Sequence, residues 1–511
     1  MIEPVWLLWP TVLSLVVSAT AAFLLTPAVR NFARQRGWVD HPDGRRKLHL
    51  NPVPRLGGVA VFAAFALACG LLVILERMDV IAARISPSAY LHLLAACLAV
   101  AGVGVIDDIA DVRPLAKLIV QALAAVYLYF NGYQVTGLSN PFTGDSMDLG
   151  VLSAPLTVVW FVGMSNAFNL IDGLDGLAAG VGLFSTTTLF IACAINQRWE
   201  IAIIAAALGG ALLGFLRYNF NPASVFLGDS GALFVGFALA AIAVRGSMKS
   251  SAAIAVAAPV LALAIPILDA SIAVFRRFVR GDDLFRADGD HIHHRLLRMG
   301  LTPRRVVILL YGVAAAFGAL SLLTMTSRSQ IVGLVVIATS VITWIGVQQL
   351  GYAEFAEIQR AFRFGLVNER RAVGNNVYLM ALAERFTKAS DLDQLWAVVI
   401  EFAQRLQFDG AELRSGGTLL ASGHPRVLRE WVVNDIGRTE PSAVWTVPLG
   451  GDNEGLATLI LMRSLRSPSQ FESSHLLNAL NLGLAPQLHS VLNAVAPHDD
   501  RIAVSRDRPS A

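Results

Sequence analysis

Charge is what this sequence has least of. Only 15% of its 511 residues are Asp, Glu, Lys or Arg, against 55% hydrophobic, whereas a water-soluble globular chain is about a quarter charged. That shortage excludes a chain folded wholly in water. Cysteine is scarcer still. Cys69, Cys97 and Cys193 lie in or near apolar stretches and show no motif spacing, which argues against a disulfide framework and against a thiolate metal cluster. The net charge of +3 is small and unevenly spread, so it does not describe a nucleic-acid-binding surface.

What is abundant is apolar sequence in blocks of membrane-spanning length, about 17 to 25 residues. Candidate spans lie near 5–29, 56–75, 90–106, 117–130, 151–170, 176–195, 200–216, 231–245, 251–275, 305–324 and 330–348. The first does not read as a cleaved signal peptide: the opening "MIEPVW" has no basic n-region, and Arg30 follows the segment as a stop. Lysine and arginine set the orientation. The loop 30–55 holds Arg30, Arg34, Arg36, Arg45, Arg46, Lys47 and Arg55, the loop 276–305 holds eight arginines, and the loop 131–150 holds neither residue type. The positive-inside rule puts the basic loops in the cytoplasm, with the N-terminus outside and the C-terminus inside. The expected fold is therefore an all-α polytopic membrane protein of about eleven transmembrane helices.

Composition changes after Leu350. Residues 1–350 form the expected membrane-embedded domain, and the polar stretch 351–375 reads as a helical connector. Residues 376–496 read as a soluble α+β domain. "VYLMALAERF" and "LDQLWAVVIEFAQRL" have helical spacing. "AVWTVPLG" and "GLATLILMRS" read as strands either side of "GGDNEG", and "ESSHLLNALNLGLAPQLHSVLNAV" closes as a helix. This helix–strands–helix order resembles GAF-type domains. The last residues, 497–511, are expected to be disordered.

The informative residues are polar groups at membrane depth, where a carboxylate is a functional candidate by default. Asp107 and Asp108 end a span in "GVIDDIADVRPLAK"; Asp172 and Asp175 sit between two uncharged spans in "NAFNLIDGLDGLAAG"; Asp229 lies in "VFLGDSGALFVG". Each has a plain reading as a helix cap or a solvated helix end. Asn166 and Asn169 read equally as helix-packing polar residues, His291, His293 and His294 as loop histidines, and Lys47 as an interfacial base. Under the topology above, however, all five acids and the three histidines fall at one membrane face. Acids with Asn and no Cys suit a hard cation such as Mg²⁺. Histidines and arginines suit phosphate oxygens. A site in the membrane implies a lipid substrate, so the set points to phosphoryl transfer. Gly173 between two aspartates suggests a broken helical turn with exposed amides.

These stretches, with "RKLHLNPVPRLGG" and "DGDHIHHRLLRMGLTPRR", resemble the polyprenyl-phosphate N-acetylhexosamine-1-phosphate transferase family (glycosyltransferase family 4), most closely its undecaprenyl-phosphate GlcNAc-1-phosphate transferase branch. The five motifs come in the family's order across residues 1–350. The resemblance implies transfer of a HexNAc-1-phosphate from a UDP-sugar to undecaprenyl phosphate, with release of UMP, at the bacterial inner membrane. The cofactor it implies is Mg²⁺, with Mn²⁺ as a substitute, and it leaves room for a homodimer. It implies metal ligation by Asp229 and Asn169, and lipid-phosphate contact by Asp107 and Asp108. Asp172 and Asp175 would lie in the nucleotide-sugar pocket, with Asn166 and Lys47 nearby, and His291, His293 and His294 would contact the nucleotide's phosphates. The related muramoyl-pentapeptide enzymes carry three consecutive histidines, whereas Ile292 interrupts the run here, which favours simple UDP-HexNAc donors and UDP-GlcNAc first.

The chemistry fits that implication. A phosphate monoester has a second pKa of about 6, so the acceptor oxygen is largely ionised at neutral pH and a strong general base is not essential. Direct displacement and an acyl-phosphate on Asp108 are both open at this level. A secondary transporter also buries midplane charge, but here the acids gather at one face with no inverted repeat. A membrane-anchored sensor accounts for the C-terminal domain but not for so elaborate a membrane region. The orientation is checked by thiol labelling in a background lacking the three native cysteines. A cysteine at Ser139 is expected to react with an impermeant reagent in intact cells, and one at Asp288 is expected not to; the reverse pattern inverts the topology.

Overall fold

The structure is a computed structural model. It describes residues 3–40, 52–78, 80, 86–139, 146–247, 259–280, 290–326, 329–350, 370–415, 427–432, 442–449, 457–464 and 473–495. Two compact units emerge, one comprising residues 1–274 and 287–350, the other 275–286 and 351–511.

The first unit begins with α1 (Glu3–Gln35). A two-residue ladder follows, pairing β1 (Val39–Asp40) with β2 (Val53–Pro54). Next come α2 (Gly57–Arg77), α3 (Pro87–Ala110) and α4 (Pro114–Phe130). A short antiparallel pair, β3 (Gly137–Ser139) and β4 (Ser146–Asp148), leads to α5 (Ser153–Ile171), α6 (Leu177–Ile195), α7 (Trp199–Asn219) and α8 (Gly228–Ser247). The remaining helices are α9 (Ala264–Arg280), α10 (Ile292–Arg298), α11 (Pro303–Thr326) and α12 (Ser329–Gln349). Proline opens α3, α4 and α11. Its fixed φ suits the first helical turn, where its missing N–H is no loss.

Among the described residues, nine helices are long and apolar enough to cross a membrane. These correspond to nine of the eleven expected spans. The tenth, 117–130, is the apolar but 17-residue α4. The eleventh, 251–275, lies partly outside the described residues, and its described end belongs to α9. Burial separates centre from periphery. About four-fifths of the apolar window is buried in α7 (78%) and α8 (83%), but only 22% in α1 and 28% in α12. Helices apolar all round yet exposed at the edge are what a lipid solvent permits.

The centre is α8, which packs on α2, α3, α5, α6 and α7. Phe234 and Phe237 on α8 meet Phe62, Phe65 and Phe161 in edge and tilted ring pairs. Small residues let backbones approach. A Cβ at Gly104 of α3 would lie 2.6 Å from the backbone of Asp229 and Ser230, so only glycine allows α3 to cross the first turn of α8 so closely. That crossing brings Asp107 and Asp108, one turn further along α3, to the start of α8.

The second unit is α+β, as its composition suggests. α13 (Arg370–Thr387) and α14 (Leu392–Arg405) precede a four-stranded antiparallel sheet of order β6–β5–β8–β7, with β5 Gly410–Ser415, β6 Val427–Val432, β7 Ser442–Leu449 and β8 Ala457–Ser464. Asp391 caps α14 by accepting from Gln394 N at 2.8 Å. The core joins Leu382, Phe386, Val399 and Phe402 of the helices to Ala411, Leu413, Leu459 and Leu461 of the sheet. The expected closing helix is α15 (Ser473–Ala479), a π-turn at Leu480–Leu484, then α16 (Ala485–Val495). The connector residues 351–369 and the tail 497–511 lie outside the described residues.

Candidate active site

A cavity of about 420 Å³ opens where α3, α5 and α8 end or begin. Seven carboxylates line it: Asp40, Asp107, Asp108, Asp111, Asp172, Asp175 and Asp229; Arg55, Asn219, Asn221 and His294 are also at its wall. All five aspartates singled out in the sequence are therefore gathered in one place.

The first turn of α8 organises them. Gly228 has φ +71°, and a Cβ there would run into Arg55 O and the Asp108 carboxylate, so the entry to α8 requires glycine. Asp172 lies beside the Gly228 backbone. Asp108 accepts from the next two amides, Asp229 N to Oδ1 at 2.9 Å and Ser230 N to Oδ2 at 3.0 Å. Helix N-terminal amides have no intrahelical partner and carry partial positive charge. A carboxylate from another helix satisfies two of them here. Both Asp108 oxygens are used in this way.

Lys117 of α4 stands between the remaining acids. Its Nζ donates to Asp107 Oδ2 and to Asp229 Oδ2, each at 2.9 Å. Asp107 Oδ1 accepts from Val112 N at 2.7 Å. Asn169 lies beside Asp229, which brings the two residues expected as metal ligands near each other, although Asn169 itself is not among the residues lining the cavity. Asn166, one turn earlier, instead donates to Gln121 Oε1 at 2.6 Å and does not line the cavity. Asp40 is ion-paired with Arg55.

The break between α5 and α6 is real. α5 stops at Ile171, and Gly176 takes a left-handed conformation before α6. Asp175 accepts from Asn221 Nδ2 at 3.0 Å and Ala223 N at 2.9 Å, pinning the turn to the segment after α7. Tyr311 of α11 donates to Gly176 O at 2.5 Å. Burial in the cleft, with the negative charges of Asp229, Asp108 and Asp175, pushes Asp172 well above the usual carboxylate range.

The histidines divide. His294 lines the cavity. His291 and His293 are buried behind it, their rings stacked at 5.8 Å, with His293 and His294 at 4.2 Å. His293 lies against Gly173, and burial, with His294 and His291 as neighbouring like charges, pushes it down to about 3. It is neutral at any physiological pH and packs the turn rather than lending charge to a phosphate. Lys47 lies outside the described residues. Sequence reasoning missed Lys117, a lone base early in an apolar helix, and the Asp40–Arg55 pair.

Sequences similar to this one across the cleft-forming helices are those of transferases. Residues 90–247 match the family described as Glycosyl transferase family 4. A probable undecaprenyl-phosphate N-acetylglucosaminyl 1-phosphate transferase of Bacillus subtilis (strain 168) is 32% identical over 306 residues, 60% of this chain and 82% of that protein. A decaprenyl-phosphate N-acetylglucosaminephosphotransferase of Mycobacterium tuberculosis (strain CDC 1551 / Oshkosh) is 33% identical over 329 residues, 60% of this chain and 80% of that one. A phospho-N-acetylmuramoyl-pentapeptide-transferase of Halalkalibacterium halodurans is 39% identical over a shorter 210 residues, 40% of this chain and 62% of that one. The chain belongs to glycosyl transferase family 4.

The geometry separates two aspartates by their effect. Asp108→Ala strips the acceptor from two α8 amides, and a buried unsatisfied group costs about 1–3 kcal/mol, so thermal stability and turnover are expected to fall together. Asp229→Asn keeps shape and is expected to leave the melting temperature nearly unchanged while turnover drops roughly 100-fold or more. Melting curves beside rate measurements check both; equal stability losses contradict the division of roles.

Proposed function

We propose that this protein transfers N-acetylglucosamine 1-phosphate from UDP-GlcNAc to a polyprenyl phosphate, undecaprenyl phosphate in the first instance, releasing UMP at the cytoplasmic face of a bacterial inner membrane. The observation that carries the reading is the convergence of seven carboxylates on one cavity at the ends of membrane-spanning helices. Such a concentration of carboxylates sheds its mutual repulsion by taking up protons, as the upward push on Asp172 shows, or cations. The names of the relatives supply the sugar and the lipid class.

Mg²⁺ is the cation that suits the donor set. Among the described residues no group of three or more His, Cys, Asp or Glu could hold a metal unaided. Mg²⁺, however, is commonly bound by one or two carboxylates and completed by waters and substrate phosphates. Asp229 with Asn169 meets that requirement. When bound, the ion offsets the charge of the pyrophosphate and of departing UMP. The chain's own residues do the rest. Lys117 holds Asp107 and Asp229 in register and adds a positive charge beside them. Asp107 is bonded through both oxygens yet remains at the cavity wall, where it orients the acceptor phosphate. Asp108 has both oxygens committed to backbone amides, which favours direct attack by the lipid phosphate over an acyl-phosphate on that residue. The 172–176 turn, fixed by Asn221 and Tyr311, frames the sugar-nucleotide side, and His294 faces the phosphates.

The C-terminal unit is read as a GAF-like regulatory domain that contributes no catalytic group. Purified protein in lipid is expected to release UMP from UDP-GlcNAc in a polyprenyl-phosphate-dependent and Mg²⁺-dependent way, ahead of other UDP-sugars in a panel. Residues 1–350 alone are expected to retain most of that activity. No UMP from any UDP-sugar overturns the function, and a folded truncation about a thousandfold slower overturns the division of labour.

A further inference from the structure

Between Lys249 and Arg276 the sequence carries one charge, Asp269, in the apolar stretch "AIPILDASIAVF" of α9. It is 2% exposed. A carboxylate so placed is strongly unfavourable unless its oxygens are bonded. Both are, and to one short segment: Oδ2 lies 2.8 Å from His291 Nδ1, and Oδ1 accepts from Ile292 N at 2.8 Å. An ionised carboxylate has no proton to give, so His291 Nδ1–H is the donor. Asp269 thus holds the Nδ1 proton and the ring orientation of His291. It also ties down the residue that opens α10, the helix that carries His294 into the cavity. The ring planes of His291 and His293 differ by only 4°, and the row His291–His293–His294 runs from the buried carboxylate to the cavity wall.

We propose that Asp269 is a positioning residue for the sugar-nucleotide phosphates, acting through His291. The buried aspartate fixes His291, and through the row of touching rings, the first pair stacked and the second tilted, fixes where His294 meets the phosphates. This rests on the transferase reading above. It differs from a purely structural role in what it changes. A fold defect lowers the amount of active protein and hence apparent kcat, whereas a displaced histidine row weakens donor binding.

Asp269→Asn tests it at constant volume. Its Oδ1 still caps Ile292, but its Nδ2 presents a donor to His291 Nδ1, forcing the proton to Nε2. The expected result is a KM for UDP-GlcNAc raised about 10-fold with kcat within about threefold, the pattern of a lost interaction made equally with the bound donor and the transition state. In a His291→Asn background the same substitution is expected to add nothing, as two groups acting in series are non-additive. A fall in kcat at unchanged KM, or an equal effect in both backgrounds, overturns the proposal. Histidine ¹⁵N spectra of the wild-type protein, with His291→Asn as the assignment control, need neither substrate nor a folded Asp269 variant. They are expected to show His291 protonated at Nδ1. A bare Nδ1 overturns the dyad. Absence of UMP release by the wild type, with Nδ1 protonated, instead strikes the transferase reading and leaves the dyad standing.

Discussion

A helix that starts inside a protein must find acceptors for its first amides, and α8, the central helix here, starts inside the candidate site. Its answer is to recruit a carboxylate from elsewhere: Asp108 from α3 accepts from Asp229 N and Ser230 N, while Asp172 from the α5–α6 turn lies beside Gly228. This one requirement brings two distant parts of the chain together. It explains the glycine at 104, which lets α3 close on α8, and the glycine at 228, which turns the chain into the helix. It also accounts for both oxygens of Asp108, one of the four aspartates expected to be catalytic.

Building a site this way leaves a surplus of negative charge. The amides of α8 balance Asp108, and its dipole acts on Asp172 beside it. Lys117 balances Asp107 and Asp229, and Arg55 balances Asp40. Asp175 is held by an amide and an asparagine, and Asp111 lies at the same wall. Among the described residues carboxylates outnumber the cations interleaved with them, which is the basis of the proposal that a divalent ion and phosphates complete the site. Burial is the main cause of the upward push on Asp172, and its like-charged neighbours add to it, the same surplus seen from one group.

Much of this was legible in the sequence because charge is so rare in it. A carboxylate in an apolar run has few places to go, so Asp107, Asp108, Asp172, Asp175 and Asp229 were found together, and Gly173 and Gly176 marked the break in the helix. The same rule applied without exception would have found Lys117 and Asp269, each a lone charge in an apolar stretch. Attention to motifs passed over both. Other features were not legible in principle. That Asn166 turns to Gln121 rather than to the cavity depends on which face of α5 meets α4. That His293 packs on Gly173 while His294 reaches the cavity depends on the pose of α10. Spacing encodes neither. In the C-terminal unit, β7 and β8 showed alternating apolar sequence, whereas β5 and β6, six residues each and rich in charge, did not.

The central claim is that this acidic cleft is a cation site organised around Asp229 and Asn169. Mn²⁺ has a spin signal, so titration of the purified protein with Mn²⁺, followed by electron paramagnetic resonance, reads that site without any substrate. The account predicts one saturable ion per chain, displaced by Mg²⁺, and lost in Asp229→Asn at unchanged melting temperature. Equal Mn²⁺ binding by the wild type and Asp229→Asn, or no saturable binding by either, would contradict it.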